Sequence, residues 1–183
     1  MALSNWVNSD GLVVRFGSDE GDKILGGSIS TMDGKVMYEI NIPYTEIASA
    51  TDAVVGSVSG TSNGSRGVML PKGLRIEAIE TLVTAAFTSS GTVTSSTLVL
   101  GLKKASDLST ELDHDGFLTS SFVGSKLDAV GERNYQEVGT TGSGALIGTT
   151  LSENGVLSCS NSAHASHPYN GGALRVRIFG FWP

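Results

Sequence analysis

Apolar residues recur at every second position through much of this sequence, and that spacing restricts it to β-strands. The clearest run is Lys35 to Ile42, where Val36, Tyr38, Ile40 and Ile42 alternate with Lys35, Met37, Glu39 and Asn41 until Pro43 stops the pairing. A period of two sends alternate side chains to opposite faces of a strand, so one set is core and the other is wetter. Leu98, Leu100 and Leu102 alternate with Val99, Gly101 and Lys103, while Leu174, Val176 and Ile178 alternate with Arg175, Arg177 and Phe179. Both runs predict strands of a half-buried sheet. From Leu74 to Phe87 the alternation changes phase. Leu74, Ile76 and Ala78 share one parity, and Thr81, Val83, Ala85 and Phe87 share the other. A β-bulge near Ala78-Ile79 accounts for the change, whereas a short helix over Ile76 to Val83 is disfavoured by its β-branched residues. Two further strands are expected around Asn154-Gly155, from Ala145 to Leu151 and from Val156 to Cys159. Helical signal is limited to one or two turns at Thr45–Ala48 and at Ala105–Leu112.

The runs are punctuated by Asp10-Gly11, Asp33-Gly34, Asn63-Gly64, Ser90-Gly91, Asp115-Gly116, Asn154-Gly155 and Asn170-Gly171. Each offers a residue tolerant of positive φ followed by glycine, as tight hairpins require. Gly, Ser and Thr together make 65 of the 183 residues, which argues against a helical protein. Hydrophobic residues at 39% are too many for a disordered chain, and charged residues at 16% are too few for helices built on Glu/Lys pairs. Short strands joined by glycine-rich turns, without βαβ alternation, predict an all-β fold with a β-sandwich or jelly-roll body. That body is expected over residues 31 to 183. Residues 1 to 30 fit it poorly, because Leu12-Val13-Val14-Arg15-Phe16 runs into the polar Gly17-Ser18-Asp19-Glu20-Gly21-Asp22. They are expected to form an extended arm.

A net charge of −6 opposes phosphate neutralisation, and the pairs Lys103-Lys104 and Arg175-x-Arg177 fall short of a nucleic-acid footprint. Cys159 stands alone, so no disulfide can form within the chain. The amino end has neither a basic region nor an apolar run of signal-peptide length, and no stretch approaches a membrane span of ~20 apolar residues. Folding in a cytoplasm, with no membrane partner, is the expectation.

Several motifs imitate chemistry. Gly60-Thr61-Ser62-Asn63-Gly64 has the letters of a nucleophile elbow but lacks the buried strand before it and the helix after it. Asn63-Gly64-Ser65 in the same loop is a glycosylation triplet with no secretory signal to expose it. Cys159, His164 and His167 have zinc-like residue types without a fourth ligand nearby, and the segment otherwise reads as a loop with its histidines in water. Glu111, Asp113 and Asp115-Gly116 resemble half a calcium loop, but Phe122 stands where the bidentate Glu belongs. Asp113 and Asp115 are left as carboxylates able to hold a surface calcium, or as a plain Asp-Gly turn leading into Phe117-Leu118. His114 between them is not a triad, since neighbours on a strand face opposite ways. No catalytic residue, cofactor fingerprint or complete metal-ligand set is assigned, and an enzyme is not expected.

The arm carries Trp6, together with Leu12, Val14 and Phe16 on one strand face by parity. Such a surface is sticky unless a partner covers it. Phe179, Phe181 and Trp182 crowd the carboxyl-terminal strand, which implies either a face that meets a neighbouring subunit or a strand in the centre of the sandwich. The opening residues Met1 to Gly17, the segments Leu70–Glu77, Leu98–Lys104, Glu111–Leu118 and Leu127–Gly131, and the closing Ala173–Arg177 resemble structural proteins of tailed bacteriophages, particularly aquatic ones. The family they resemble is the capsid cement or decoration proteins. The resemblance implies a β-rich body, the major capsid protein as partner, and homotrimers on the outer capsid surface of the virion. Trp6, Leu12, Val14 and Phe16 are then the expected capsid anchors, and Phe179, Phe181 and Trp182 the expected oligomer interface. The alternatives are another virion component, such as a head fibre or tail protein, and a carbohydrate-binding β-sandwich stacking sugars on Trp6, Trp182 and Tyr169.

Overall fold

The computed structural model describes residues 35–47, 52–55, 68–119, 122 and 126–182, together with the backbone of three amino-terminal strands. In chain order the strands are β1 (Ser4–Val7), β2 (Val13–Phe16), β3 (Ser28–Met32), β4 (Lys35–Pro43), β5 (Ala53–Val54), β6 (Met69–Leu70), β7 (Arg75–Ser89), β8 (Val99–Lys104), β9 (Asp107–Leu118), β10 (Arg133–Glu137), β11 (Gly155–Ser160) and β12 (Tyr169–Phe181). They form two antiparallel sheets. One has the order β1-β2-β3-β4-β12-β7-β10, and the other β5-β11-β8-β9, with β6 also paired to β11. Helix among the described residues is limited to 3-10 turns at Tyr44–Glu46 and Val93–Ser95 and a 3-10 residue at Lys126.

Both sheets feed one contiguous core. Ile40 and Ile42 of β4, Leu174, Val176 and Ile178 of β12, and Ile79 and Val83 of β7 meet Leu100, Leu102, Phe117, Leu118 and Leu157 from the second sheet. Each such Ile or Leu contributes about 1.5–3 kcal/mol relative to an exposed one. This is the all-β sandwich that the period of two predicts. The alternation in β4 is kept residue by residue, with Val36, Tyr38, Ile40 and Ile42 buried and Lys35 exposed. β12 occupies the centre of the larger sheet, between β4 and β7, with Leu174, Val176 and Ile178 turned inward.

The phase change in β7 is a bulge, one residue earlier than expected. Phe179 of β12 faces Ala78 and the next residue, Gly180, faces Ile76, so Glu77 is the extra residue. β7 stays a strand throughout, and the helical alternative does not occur. A second slip follows, because Leu174 faces Val83 while Ala173 faces Ala85. Ala85 is consequently exposed, although Phe87 returns to the core.

Five expectations are overturned. The Ala145–Leu151 segment is a series of turns rather than a strand. Gly144 and Leu146 donate to the carbonyls of Phe117 and Gly116, Gly148 donates to Ile76, and Leu151 donates to Leu74. Gly148 has φ +89°, which breaks an extended chain, so the segment bridges the two sheets and plugs the core with Ile147 and Leu151. Ala105–Leu112 is not helical: after a turn at Ala105-Ser106 the chain enters β9, because pairing with β8 outweighs a weak helical signal. Asp115-Gly116 and Asn170-Gly171 are likewise no turns, since they lie inside β9 and β12. Finally, β8 is buried on both faces rather than half-buried, from Val99 to Leu102.

Gly101 explains the last point. Between Lys104 and Leu100 of β8 the partner strand advances all the way from Asp107 to Leu118, so β9 must arch out of the ladder. It arches over β8, where a Cβ on Gly101 would collide with the carbonyl oxygens of Asp113 and His114. Only glycine lets the two backbones approach so closely.

Candidate interaction surface

The outward face of the larger sheet follows from strand register. Arg177 of β12 lies between Glu39 of β4 and Glu80 of β7. Its Nε donates to Glu39 Oε2 at 2.7 Å, and its Nη1 is 3.7 Å from Glu80 Oε2. Arg133 Nε stands 2.8 Å from Glu80 Oε1, an ion-pair contact without the alignment of a hydrogen bond. Arg175 Nη1 reaches Glu39 at 3.9 Å. The hydrogen bond to Glu39 holds the Arg177 charge more firmly than usual, with the Glu39 and Glu80 charges adding to it. Three guanidinium groups thus share two carboxylates across four strands. An interleaved network of this kind fixes register more than it adds stability.

One step along the strands the face turns apolar. Phe179 lies in register between Met37 and Ala78, and the Tyr135 ring of β10 sits 6.3 Å from it, tilted by 52°. Tyr135 is 52% exposed, which leaves an aromatic surface open to contact. Phe181 faces Lys35 and Arg75, with the Arg75 guanidinium 6.0 Å from its ring centre. Trp182 follows at the strand end, 46% exposed and packed against Gly73. Phe179 and Phe181 therefore share the outer face, and Trp182 stands apart. Tyr135 and Met37 belong to this surface and escaped sequence reasoning. Arg177 was visible as half of a basic pair, but its carboxylate partners depend on cross-strand register, which one strand's pattern does not contain.

The arm strands extend the same sheet. β2 pairs with β1 on one side and with β3 on the other, and β3, which spans residue 30, pairs with β4 so that Met32 faces Lys35 across Asp33-Gly34. Trp6 is in register with Val14, and Ser4 with Phe16. Leu12 and the side chains of Trp6, Val14 and Phe16 lie outside the described residues, as do Ser62 and the Asn63 triplet.

The remaining motifs resolve as structural. The Cys159 thiol is buried and donates to the Glu46 carbonyl at 3.0 Å, and burial above all pushes its pKa well up. His167 Nδ1 accepts from the Thr92 amide at 3.3 Å, and its carbonyl accepts from Ser96 Oγ and Asn161 Nδ2, both at 2.8 Å. His164 and His167 are half-buried in this loop rather than in water, and they do not gather with Cys159 around a common point. Asp113 and Asp115 lie within β9. Burial first and the Asp115 charge next raise the Asp113 pKa. Tyr169 is buried edge-on against Phe87, with ring centres 4.9 Å apart, so it offers no platform for a sugar. Among the described residues no helix is long and apolar enough to cross a membrane. Comparison with known protein families, with curated proteins and with solved structures found no match.

Proposed function

We propose that this chain is a virion structural protein, a capsid cement or decoration protein that binds the major capsid protein on the outer surface of a phage head and stabilises it. The observation that carries this reading is the build of the larger sheet. Its amino-terminal strands extend it from β4 through β3 and β2 to β1, while its outer face presents Tyr135, Phe179 and Phe181 beside a charged network. A sandwich with an added hairpin at one edge and an aromatic face can hold a shell by the first and a sister subunit by the second. Resemblance of segments spread from Met1 to Arg177 to tailed-phage structural proteins points the same way. The net charge of −6 suits the outer face, since an inner-face protein would meet packaged DNA. The active unit in this reading is a homotrimer, and no catalytic role is assigned.

The test is decoration of capsids by purified full-length protein, viewed by electron microscopy, alongside a variant lacking residues 1 to 8 and Trp6→Ala. Truncating an anchor of this type costs about 2 kcal/mol, roughly thirtyfold in affinity. Variants that keep the wild-type melting temperature but leave capsids bare support the arm as anchor. Normal decoration by both variants refutes that role, and wild-type protein that adds no density to any head refutes the function.

A further inference from the structure

Where β9 arches over Gly101 it carries His114 and Glu111 across the second sheet to Asp52, the residue just before β5. These two edges of the sheet are separated by β11 and β8. His114 Nδ1 lies 2.6 Å from Asp52 Oδ2, and one ligating atom from each of Asp52, Glu111 and His114 falls within 4.8 Å of the others. Asp52 is buried to 8% exposure, whereas Glu111 is exposed and His114 half-buried. The floor of the cluster is polar and unsatisfied. Ser160 is fully buried and close enough to Asp52 to favour its charge, yet neither its Oγ nor Asp52 Oδ1 has a well-aligned hydrogen-bond partner. Buried polar atoms in such a place normally have a well-aligned partner, and the two that meet here, Asp52 Oδ1 and Ser160 Oγ, ask for one.

We propose that Asp52, Glu111 and His114 form a binding site for a divalent cation of the zinc class. An imidazole nitrogen with two carboxylates suits Zn²⁺ or a neighbouring transition ion, while Ca²⁺ and Mg²⁺ prefer oxygen alone. Ligand atoms about 2.0–2.2 Å from an ion stand a little over 3 Å apart. The Nδ1 to Oδ2 contact must therefore open slightly, which the half-buried His114 side chain allows. The ion displaces the proton shared between His114 and Asp52. Three protein ligands leave the solvent side for water. The Ser160 hydroxyl lies close enough to favour the Asp52 charge and supports that ligand from below. Bound there, the ion clasps β9 to the strand edge on the far side of β8 and β11, holding the arch down over Gly101.

The experiment is calorimetric titration of zinc chloride into full-length protein freed of metal by chelator, with melting temperature measured with and without zinc. The expected result is one ion per chain with a higher melting temperature. Glu111→Gln and His114→Ala, both at partly exposed positions, should each weaken binding by about tenfold or more and abolish the zinc-dependent shift. Asp52→Asn is the third variant, and if its burial prevents folding the other two still decide. His164→Ala should bind as the wild type does. The proposal is overturned if wild-type protein shows no saturable binding up to millimolar zinc. Undiminished binding by His114→Ala, or binding that disappears in His164→Ala, would overturn it as well.

Discussion

Asn161 shows how much a buried polar side chain can organise. It is fully buried and satisfied: Oδ1 accepts from the amides of Thr97 at 3.2 Å and Ala163 at 3.0 Å, and Nδ2 donates to the His167 carbonyl. It thereby pins the loop between β11 and β12 onto the 3-10 turn before β8. Asn161→Ala leaves those amides without a side-chain acceptor, at a cost of about 2–3 kcal/mol in chemical denaturation. Ser166→Ala, on the exposed side of the same loop, should leave the unfolding midpoint unchanged. Gly101 is the second such residue. Gly101→Ala drives a methyl group into the β9 backbone and should destabilise the protein by about 3 kcal/mol. A variant with wild-type unfolding would mean that β9 does not cross there.

Among the elements, the β8–β9 hairpin carries its own acid sensitivity. Asp107 accepts from the Ser109 amide at 3.0 Å, the Ser109 hydroxyl at 2.6 Å and the Thr110 hydroxyl at 2.7 Å. The Ser109 hydroxyl, then that of Thr110, lowers its pKa to about 2 from an ordinary 3.8. A carboxylate whose folded pKa is depressed stabilises the fold above the unfolded value and loses that contribution as pH falls. The hairpin turn should therefore hold at pH 4 and loosen as pH drops from about 3.8 towards 2. The direct check is the Asp107 carboxyl titration by nuclear magnetic resonance, with the Ser109 amide as a second reporter. A midpoint near 4 would contradict these bonds. Because Asp107 is at the surface, global stability should change little across this range.

For the whole molecule, the proposed trimer is the property to measure. If the aromatic strip of Phe179 and Tyr135 meets a sister subunit, light scattering should give three times the chain mass at micromolar concentration. Phe179→Glu, whose side chain faces outward, should then lower the mass to one chain while circular dichroism keeps its β signature. A wild-type mass of one chain in solution would count against the trimer, and dissociation without Phe179 involvement would place the contact elsewhere.

The sequence by itself determined the class of fold, because side-chain parity is local: the alternation of Val36 through Ile42 and of Leu174 through Ile178 needs no partner to be read. It also disclosed the phase change in β7, since an extra residue shifts parity wherever the strand pairs. Tertiary structure decided everything that depends on register or on contacts between distant segments. The resemblance of Ala145–Leu151 to a strand failed because its backbone partners pass from β9 to the start of β7 within a few residues. The Glu39, Arg177 and Glu80 row exists only once three strands are aligned. His114 was set aside beside Asp113 and Asp115, while its partner Asp52 lies 62 residues away and meets it only because β9 bends over a glycine. Local periodicity specifies which face a side chain takes, and long-range packing specifies what it meets there.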